Sequence, residues 1–399
     1  MPLTRFFQHP AFRDYRFVLG FFLLVTVVVT IQHLLIAEIN NYYIFKYSFP
    51  HLIHGQDLYA LFPGEYYDNY KYGPVFAVFI APAALLPDWL GLHLWTIANT
   101  LLFFWAIYQM PIADKYKVFI YWAVFLEFLT ATQNVQANPA LTAFIVLAFV
   151  NFERKNVFWA AFWIALGAFF KVYGLIGAAF FLLYPQKIKF IGALLFWSVV
   201  LFLLPAILVP FEQVVFLYKQ WYAALVDKVG YHTDASLMRI IRTVIYAGVP
   251  REAIMLAGVA VFCLAYLRRA ACKNRTFRLL FLSSILIWMV IFSPGAESAT
   301  YIMAVTGVAV WYAFSERRPW QTALFVFVLL LTCMSPSDLF PRYLRETYVF
   351  PYGLKALPCA IVWFVVMHEL LFRKFPDNAS VLSEPVPAGS VSLAAPALG

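Results

Sequence analysis

Long stretches with almost no charged side chains recur along this chain, and they constrain its fold more than any other feature. Residues 17–37 are the first, twenty-one positions without Asp, Glu, Lys or Arg. That matches the ~20 residues an α-helix needs to cross ~30 Å of hydrocarbon. Apolar residues resume at 74–108, broken at Leu86-Pro87-Asp88. Further runs are 118–132, 136–151, 157–170, 172–184, 190–209, 251–267, 278–293, 299–315, 320–335 and 352–372. Runs of this length read as helices, not as the alternating ten-residue strands of a membrane barrel. An open sheet would leave backbone groups unsatisfied in lipid. The composition agrees: only 12% of residues are charged, against about 25% in soluble domains. A water-soluble globule and a disordered chain are both excluded. The expected fold is an all-α polytopic membrane protein of about twelve transmembrane helices. It forms one domain over residues 1–375, followed by a flexible Ala-, Pro- and Ser-rich tail over 376–399.

Charge assigns the two sides. The net charge of +9 would suggest a nucleic-acid partner in a soluble protein, but here the basic residues sit in short clusters between apolar runs, so no nucleic acid is expected. Arg5/Arg13/Arg16, Lys115/Lys117, Arg154/Lys155, Lys187/Lys189, Arg268/Arg269/Lys273/Arg275/Arg278, Arg317/Arg318 and Arg373/Lys374 fall on one side if the runs alternate. These short basic loops read as cytoplasmic, which makes both termini cytoplasmic. The basic N-terminus followed by twenty-one apolar residues reads as a retained first helix, too long for a signal segment. A multi-pass protein of a bacterial inner (plasma) membrane fits this pattern. Residues 74–87, bounded by Pro82 and Pro87, read as a re-entrant element in the outer leaflet, with 89–109 as the crossing. The runs 157–170 and 172–184 are short for a full crossing and meet at Lys171. Such helices are tolerated where they border a cavity. The four cysteines lack any metal-binding spacing and read as small buried residues.

Ionisable groups inside lipid are costly, roughly 2.5–3.5 kcal/mol for a central charge, so Glu127 and Lys171 need a reason. Each falls toward the outer half of its helix. So does the amide-rich corner Gln133-Asn134-Val135-Gln136-Ala137-Asn138. An acid, a base and four amides thereby converge on a polar cavity at the outer face. A buried Glu–Lys pair with helix-end amides is the alternative reading. The outer loop 38–73 interleaves tyrosines with carboxylates and amides, among them Glu38, Asn40, Asn41, Tyr42, Asp57, Asp68 and Tyr72. Aromatic faces suit pyranose rings and carboxylates suit sugar hydroxyls, although tyrosines also form interfacial belts. Apolar spacing at 44, 45, 49, 52 and 53 predicts an amphipathic surface helix over 41–54. Glu297, at an outer helix junction, is open to holding a sugar hydroxyl or capping the helix that begins near 299. His51 and His54 lack a carboxylate pair for a metal site, so no metal is expected.

Several ordered motifs resemble glycosyltransferase family 87, integral-membrane GT-C enzymes similar to polyprenol-phosphate-mannose-dependent mannosyltransferases. They are Gly55-Gln-Asp57-Leu-Tyr59, then Tyr70-Lys-Tyr72-Gly-Pro74-Val-Phe-Ala77 with Ala81-Pro82 and Leu85-Leu-Pro87. Leu94-Trp95 with Asn99, Gln136-Ala-Asn138, Gly167-Ala-Phe-Phe-Lys171, Asp234-Ala-Ser236-Leu237 and Ser293-Pro294 followed by Tyr301 continue the series. The resemblance spans about residues 17–315. It implies a GT-C-like bundle and transfer, with inversion, of a sugar from a polyprenyl-phosphate donor to a hydroxyl of a lipid or glycan acceptor at the outer, periplasmic face. The lipid-linked sugar is a substrate, so no cofactor is implied. The chemistry needs a carboxylate to deprotonate the acceptor and cations or amides to stabilise the departing phosphate. The family's Asp-Phe position corresponds to Asn41-Tyr42, and asparagine cannot act as a base. Glu38, three residues earlier on the same face if the first helix continues, is the candidate replacement, with Asp57 and Asp68 as further candidates. Lys171 matches the family's helix lysine and would hold the phosphate, supplemented by Arg239 and Arg242 beyond Ser236. Two other classes fit the composition: a transporter or flippase of a lipid-linked or small polar solute, and a non-catalytic subunit of an envelope-glycan assembly complex. Broken helices with midplane charges would mark the transporter, but no internal repeat is present and the polar groups gather at one face.

Overall fold

The computed structural model describes residues 9–36, 39–226 and 235–375. Glu38, Asp234 and the expected tail 376–399 lie outside the described residues. Among the described residues every regular element is a helix.

The chain begins with α1 (Tyr15–Ile36) and α2 (Asn40–Ile53). α1 buries Val18, Phe22, Thr26, Val29 and Thr30, a stripe at three- and four-residue spacing. Its threonines point inward, where the Thr26 and Thr100 hydroxyls are 2.9 Å apart and those of Thr30 and Thr96 3.1 Å apart. Leu24 and Leu35 point outward, 60% and 81% exposed. Hydroxyls inside and aliphatic side chains outside is the arrangement a lipid solvent selects. The helix over Lys187–Leu203 (α9) likewise turns aliphatic side chains outward, with Ile188 86% exposed, and buries Phe190, Ala193 and Leu201. The chain is a membrane protein.

Residues 74–87 break as the prolines predict. Two short helices, α3 (Pro74–Phe79) and α4 (Ala81–Ala84), lead into α5 (Asp88–Tyr108). The predicted 41–54 helix is present as α2, but one face of it is buried against protein. The Tyr42 hydroxyl donates to the Ala83 carbonyl at 3.1 Å, and Lys46 pairs with Asp88. A Cβ on Gly91 would stand 2.1 Å from the Tyr42 oxygen, so α5 approaches this corner only because residue 91 is glycine.

α6 (Asp114–Gln133), α7 (Asn138–Glu153) and α8 (Val157–Phe170) follow. α7 is central: of its residues only Asn151 and Glu153 are not buried. α8 doubles back into a 3-10 stretch, Val172–Leu182. A Cβ on Gly174 would lie 2.0 Å from the Gly167 carbonyl carbon, and one on Gly177 would lie 3.0 Å from Ile164. The two strands of this hairpin are therefore antiparallel and in close contact, with Lys171 at the turn in extended conformation.

Beyond α9 come α10 (Phe211–Val226), α11 (Leu237–Ile240), α12 (Arg251–Cys263) and the paired helices α13 (Arg275–Ile291) and α14 (Tyr301–Phe314). α13 and α14 approach closely at Gly307, whose carbonyl accepts from the Ser283 hydroxyl at 2.7 Å. α15 (Pro319–Phe327) and α16 (Ala356–Phe372) complete the chain. By length and composition, Tyr15–Ile36, Asp88–Tyr108 and Lys187–Ile207 can each cross a membrane. Arg342–Tyr352 with Ala356–Phe372, bent by 58°, adds a fourth. The other apolar helices are shorter, so the twelve crossings counted from apolar runs are not matched one for one by full-length helices. The reason is local: proline, glycine and 3-10 or π geometry break runs that composition alone reads as continuous.

Candidate active site

Lys171 sits at the hairpin turn because α8 cannot continue. Gly167 and Gly174 bring the two arms together, and the Phe170 carbonyl accepts from the Gly73 amide at 3.1 Å. A Cβ on Gly73 would stand 2.2 Å from the Phe169 carbonyl oxygen, so only glycine lets the outer loop lie against this turn. The Lys171 ammonium lies 5.4 Å from the centre of the Tyr72 ring and 5.1 Å from that of Tyr173. Among the described residues no carboxylate lies within 4.0 Å of it. Lys171 is thus a half-buried cation held by two aromatic faces.

Around it stand polar groups from three other segments. The Tyr72 hydroxyl donates to Gln136 Oε1 at 3.2 Å. Asn138, fully buried at the first position of α7, has no hydrogen-bond partner for either side-chain polar atom among the described residues. Ser293 Oγ donates to the Tyr173 hydroxyl at 2.8 Å. Burial pushes the Tyr72 phenol up. Lys171 and the Ala137 backbone draw it back, while Glu297 and Tyr173 raise it further. Lys171 and Glu297 therefore act on the same hydroxyl from different segments. The Glu297 carboxylate has no hydrogen-bond donor and no cation within 4.0 Å among the described residues.

The opposite ends of these same elements form a basic cluster. Glu153, at the end of α7, pairs with Arg278 of α13 and accepts from the Tyr184 hydroxyl beyond the 3-10 stretch; Arg275 lies 3.9 Å away. Gln136, Ser293 and Lys171 thus occupy one end of three packed elements, and the Arg-rich loop the other. The sixteen residues of α7 and seventeen of α13 separate the two ends by about 24–26 Å.

Glu127 belongs to a second polar cluster. Its Oε1 lies 2.8 Å from the Lys355 ammonium, and both side chains are almost fully buried. Lys355 lies 4.9 Å from the centre of the Tyr301 ring. The sequence brings Glu127 and Lys171 to the same end, but they do not pair with each other: Lys355, which the sequence analysis did not single out, takes the acid. Its signal was present, a lysine directly before the apolar run of α16.

The remaining candidates lie elsewhere. Asn40 makes a two-way contact with the Tyr67 backbone, donating at 2.8 Å and accepting at 2.7 Å. Asn41 donates to the Asn134 carbonyl at 2.8 Å. These residues and Tyr42 pin α2 to its neighbours. Asp57 accepts from the Tyr59 amide, and Asp68, at φ 77°, caps Asn69 and lies 3.6 Å from Lys71; neither touches Lys171 or Tyr72. Ser236 caps α11 through the Arg239 amide. Arg239 donates to the Pro351 carbonyl, while Arg242 is half-buried with no hydrogen bond among the described residues. Tyr173 was also missed; it follows Lys171 by two residues, a spacing that brings it to the same side only because the helix breaks. No three of His, Cys, Asp and Glu gather among the described residues in a way that would hold a metal.

Residues 70–294, more than half of the chain, match the model of glycosyltransferase family 87. No curated protein and no solved structure matches.

Proposed function

The chain belongs to glycosyltransferase family 87, and from that premise we propose that it transfers a sugar, with inversion, from a polyprenyl-phosphate donor to a hydroxyl acceptor on the non-cytoplasmic face of the membrane. As a member it is a transferase with a sugar donor and an acceptor; the donor class, the face and the residue roles are the proposal. The carrying observation is Lys171, a cation with no carboxylate within 4.0 Å among the described residues, wedged between Tyr72 and Tyr173 beside Gln136. A site of this kind awaits an anion brought by the ligand. A lipid phosphate supplies it, and the ammonium stabilises the charge that grows as the sugar–phosphate bond breaks. Tyr72 and the amides of Gln136 and Asn138 offer hydrogen bonds to sugar hydroxyls.

The face follows from charge. The basic cluster at the Glu153 end is the cytoplasmic end by the distribution of arginine and lysine. The Lys171 end then lies about 24–26 Å away along α7 and α13, just short of the ~30 Å hydrocarbon thickness. A phosphate at the far headgroup boundary is within its reach. On this reading about twelve crossings, several of them by short or broken helices, wall the site.

The test is transfer by the purified, reconstituted protein from a short-chain polyprenyl-phosphate mannose to octyl mannoside, with Lys171→Ala alongside. Transfer by the wild type and loss in the variant supports the reading. No transfer from polyprenyl-phosphate mannose, glucose or arabinose overturns it.

A further inference from the structure

We infer that Glu297 is the general base of the transfer reaction, in the place that Asn41 leaves without a carboxylate. This rests on the transferase reading above and names the residue that takes the acceptor's proton.

Four observations carry it. Asn41 is committed to the Asn134 carbonyl at 2.8 Å, so α2 presents an amide engaged in packing at that point. Asp57 and Asp68 each accept a local amide through one oxygen, from Tyr59 and Asn69, and neither touches Lys171, Tyr72 or Tyr173. Glu297 stands four residues beyond Ser293, whose hydroxyl holds Tyr173 at 2.8 Å, and Tyr173 in turn covers Lys171 at 5.1 Å. The chain from the candidate phosphate anchor to Glu297 is therefore two contacts and one short turn. The Thr300 amide and hydroxyl bind the Glu297 backbone carbonyl at 3.0 and 2.6 Å. Ala235 donates its amide to the carbonyl of Ala296 next door at 2.8 Å. The backbone is fixed, and the carboxylate is left half-buried without a donor or cation among the described residues. A half-buried carboxylate with no donor or cation within 4.0 Å among the described residues, on the segment whose Ser293 holds Tyr173 against Lys171, suits a substrate that carries both a hydroxyl and a phosphate.

The step balances as follows. The acceptor oxygen forms a bond to the anomeric carbon on the face opposite the phosphate. The bond from that carbon to the phosphate oxygen breaks, and its electron pair leaves with the polyprenyl phosphate beside Lys171. The acceptor proton passes to the Glu297 carboxylate and from there to water.

Azide separates this role from a structural one, because it attacks the anomeric carbon without a proton to lose. With polyprenyl-phosphate mannose as donor and octyl mannoside as acceptor, Glu297→Gln is expected to lower kcat by about 10²–10⁴-fold. In the same variant, added azide is expected to yield mannosyl azide at a rate well above residual transfer. Glu297→Gln that transfers normally overturns the inference. So does Glu297→Gln that is inert to both acceptor and azide, because the residue then serves folding or the donor. The azide-rescue signature in Glu38→Gln with an active Glu297→Gln also overturns it and returns the role to the loop. If the wild type itself moves no sugar, the underlying transferase reading fails instead, a distinct result.

Discussion

Lys171 and Glu127 are both ionisable groups within apolar runs, and they resolve in opposite ways. Glu127 is neutralised inside the protein by Lys355 at 2.8 Å. Among the described residues, Lys171 has the faces of Tyr72 and Tyr173 and no carboxylate within 4.0 Å. A buried pair is weak evidence of net stability, but breaking one side leaves an uncompensated charge that costs about 3–5 kcal/mol. Glu127→Leu alone should therefore lower the thermal midpoint in detergent strongly, as should Lys355→Met alone. The double variant should recover most of the loss; a double variant as unstable as the sum of the singles would show that the two residues act independently. Lys171 should behave differently. Lys171→Ala should leave the midpoint near wild type and lower kcat/KM by about 10–100-fold, largely through kcat, the ~1.5–3 kcal/mol of a charge-assisted hydrogen bond to the departing phosphate. Lys171→Arg should restore part of it, since the charge remains while the ammonium geometry does not.

Elements place these residues by breaking. Fourteen residues of α8 extend about 21 Å, so the chain turns at Lys171 after a stretch shorter than the ~30 Å of a hydrocarbon core. The turn is held by glycine: the Gly174 position allows no Cβ, with the Gly167 carbonyl carbon 2.0 Å from where it would stand. Gly174→Ala should force the two arms apart at about 1–3 kcal/mol of overpacking. It should raise donor KM together with that destabilisation, measured by melting in detergent and by initial rates. Unchanged values of both would show that the close approach of the two arms is dispensable. The same logic applies to Gly73, where the outer loop reaches the turn.

The described helices form a bundle whose mainly apolar core also holds buried hydroxyls, with aliphatic side chains exposed outside and two chemically distinct ends. Three elements, α7, α13 and the Val172–Leu182 stretch, each run from the Glu153–Arg278 cluster to the Lys171 site or back. If the basic end is cytoplasmic, a cysteine placed at Lys155 should be labelled by an impermeant maleimide only after right-side-out vesicles are opened. One placed at Gly64, in the loop before Tyr72, should be labelled in intact vesicles; both tests use a background in which Cys263, Cys272, Cys333 and Cys359 are replaced by serine. Labelling of both from one side would remove the face assigned to the site.

The sequence by itself determined the solvent and the secondary-structure class, and it offered a side for each loop. Those properties follow from local composition: apolar runs demand lipid and helices, and short basic loops mark a side. It also singled out Lys171, Gln136, Asn138 and Tyr72, because polar groups near apolar runs stand out against their neighbours. Only the tertiary structure decided which of them meet. Lys355 lies 228 residues from its partner Glu127, and no periodicity carries information over that separation. Tyr173 joins Lys171 because two glycines allow a backbone contact that composition does not register. Asn40, Asn41 and Tyr42 read as site residues in the loop, and the structure adds that their hydrogen bonds seat α2 against its neighbours. A side chain's chemistry is local, whereas its partner is chosen by the path of the chain, and that path is fixed by packing between segments distant in sequence.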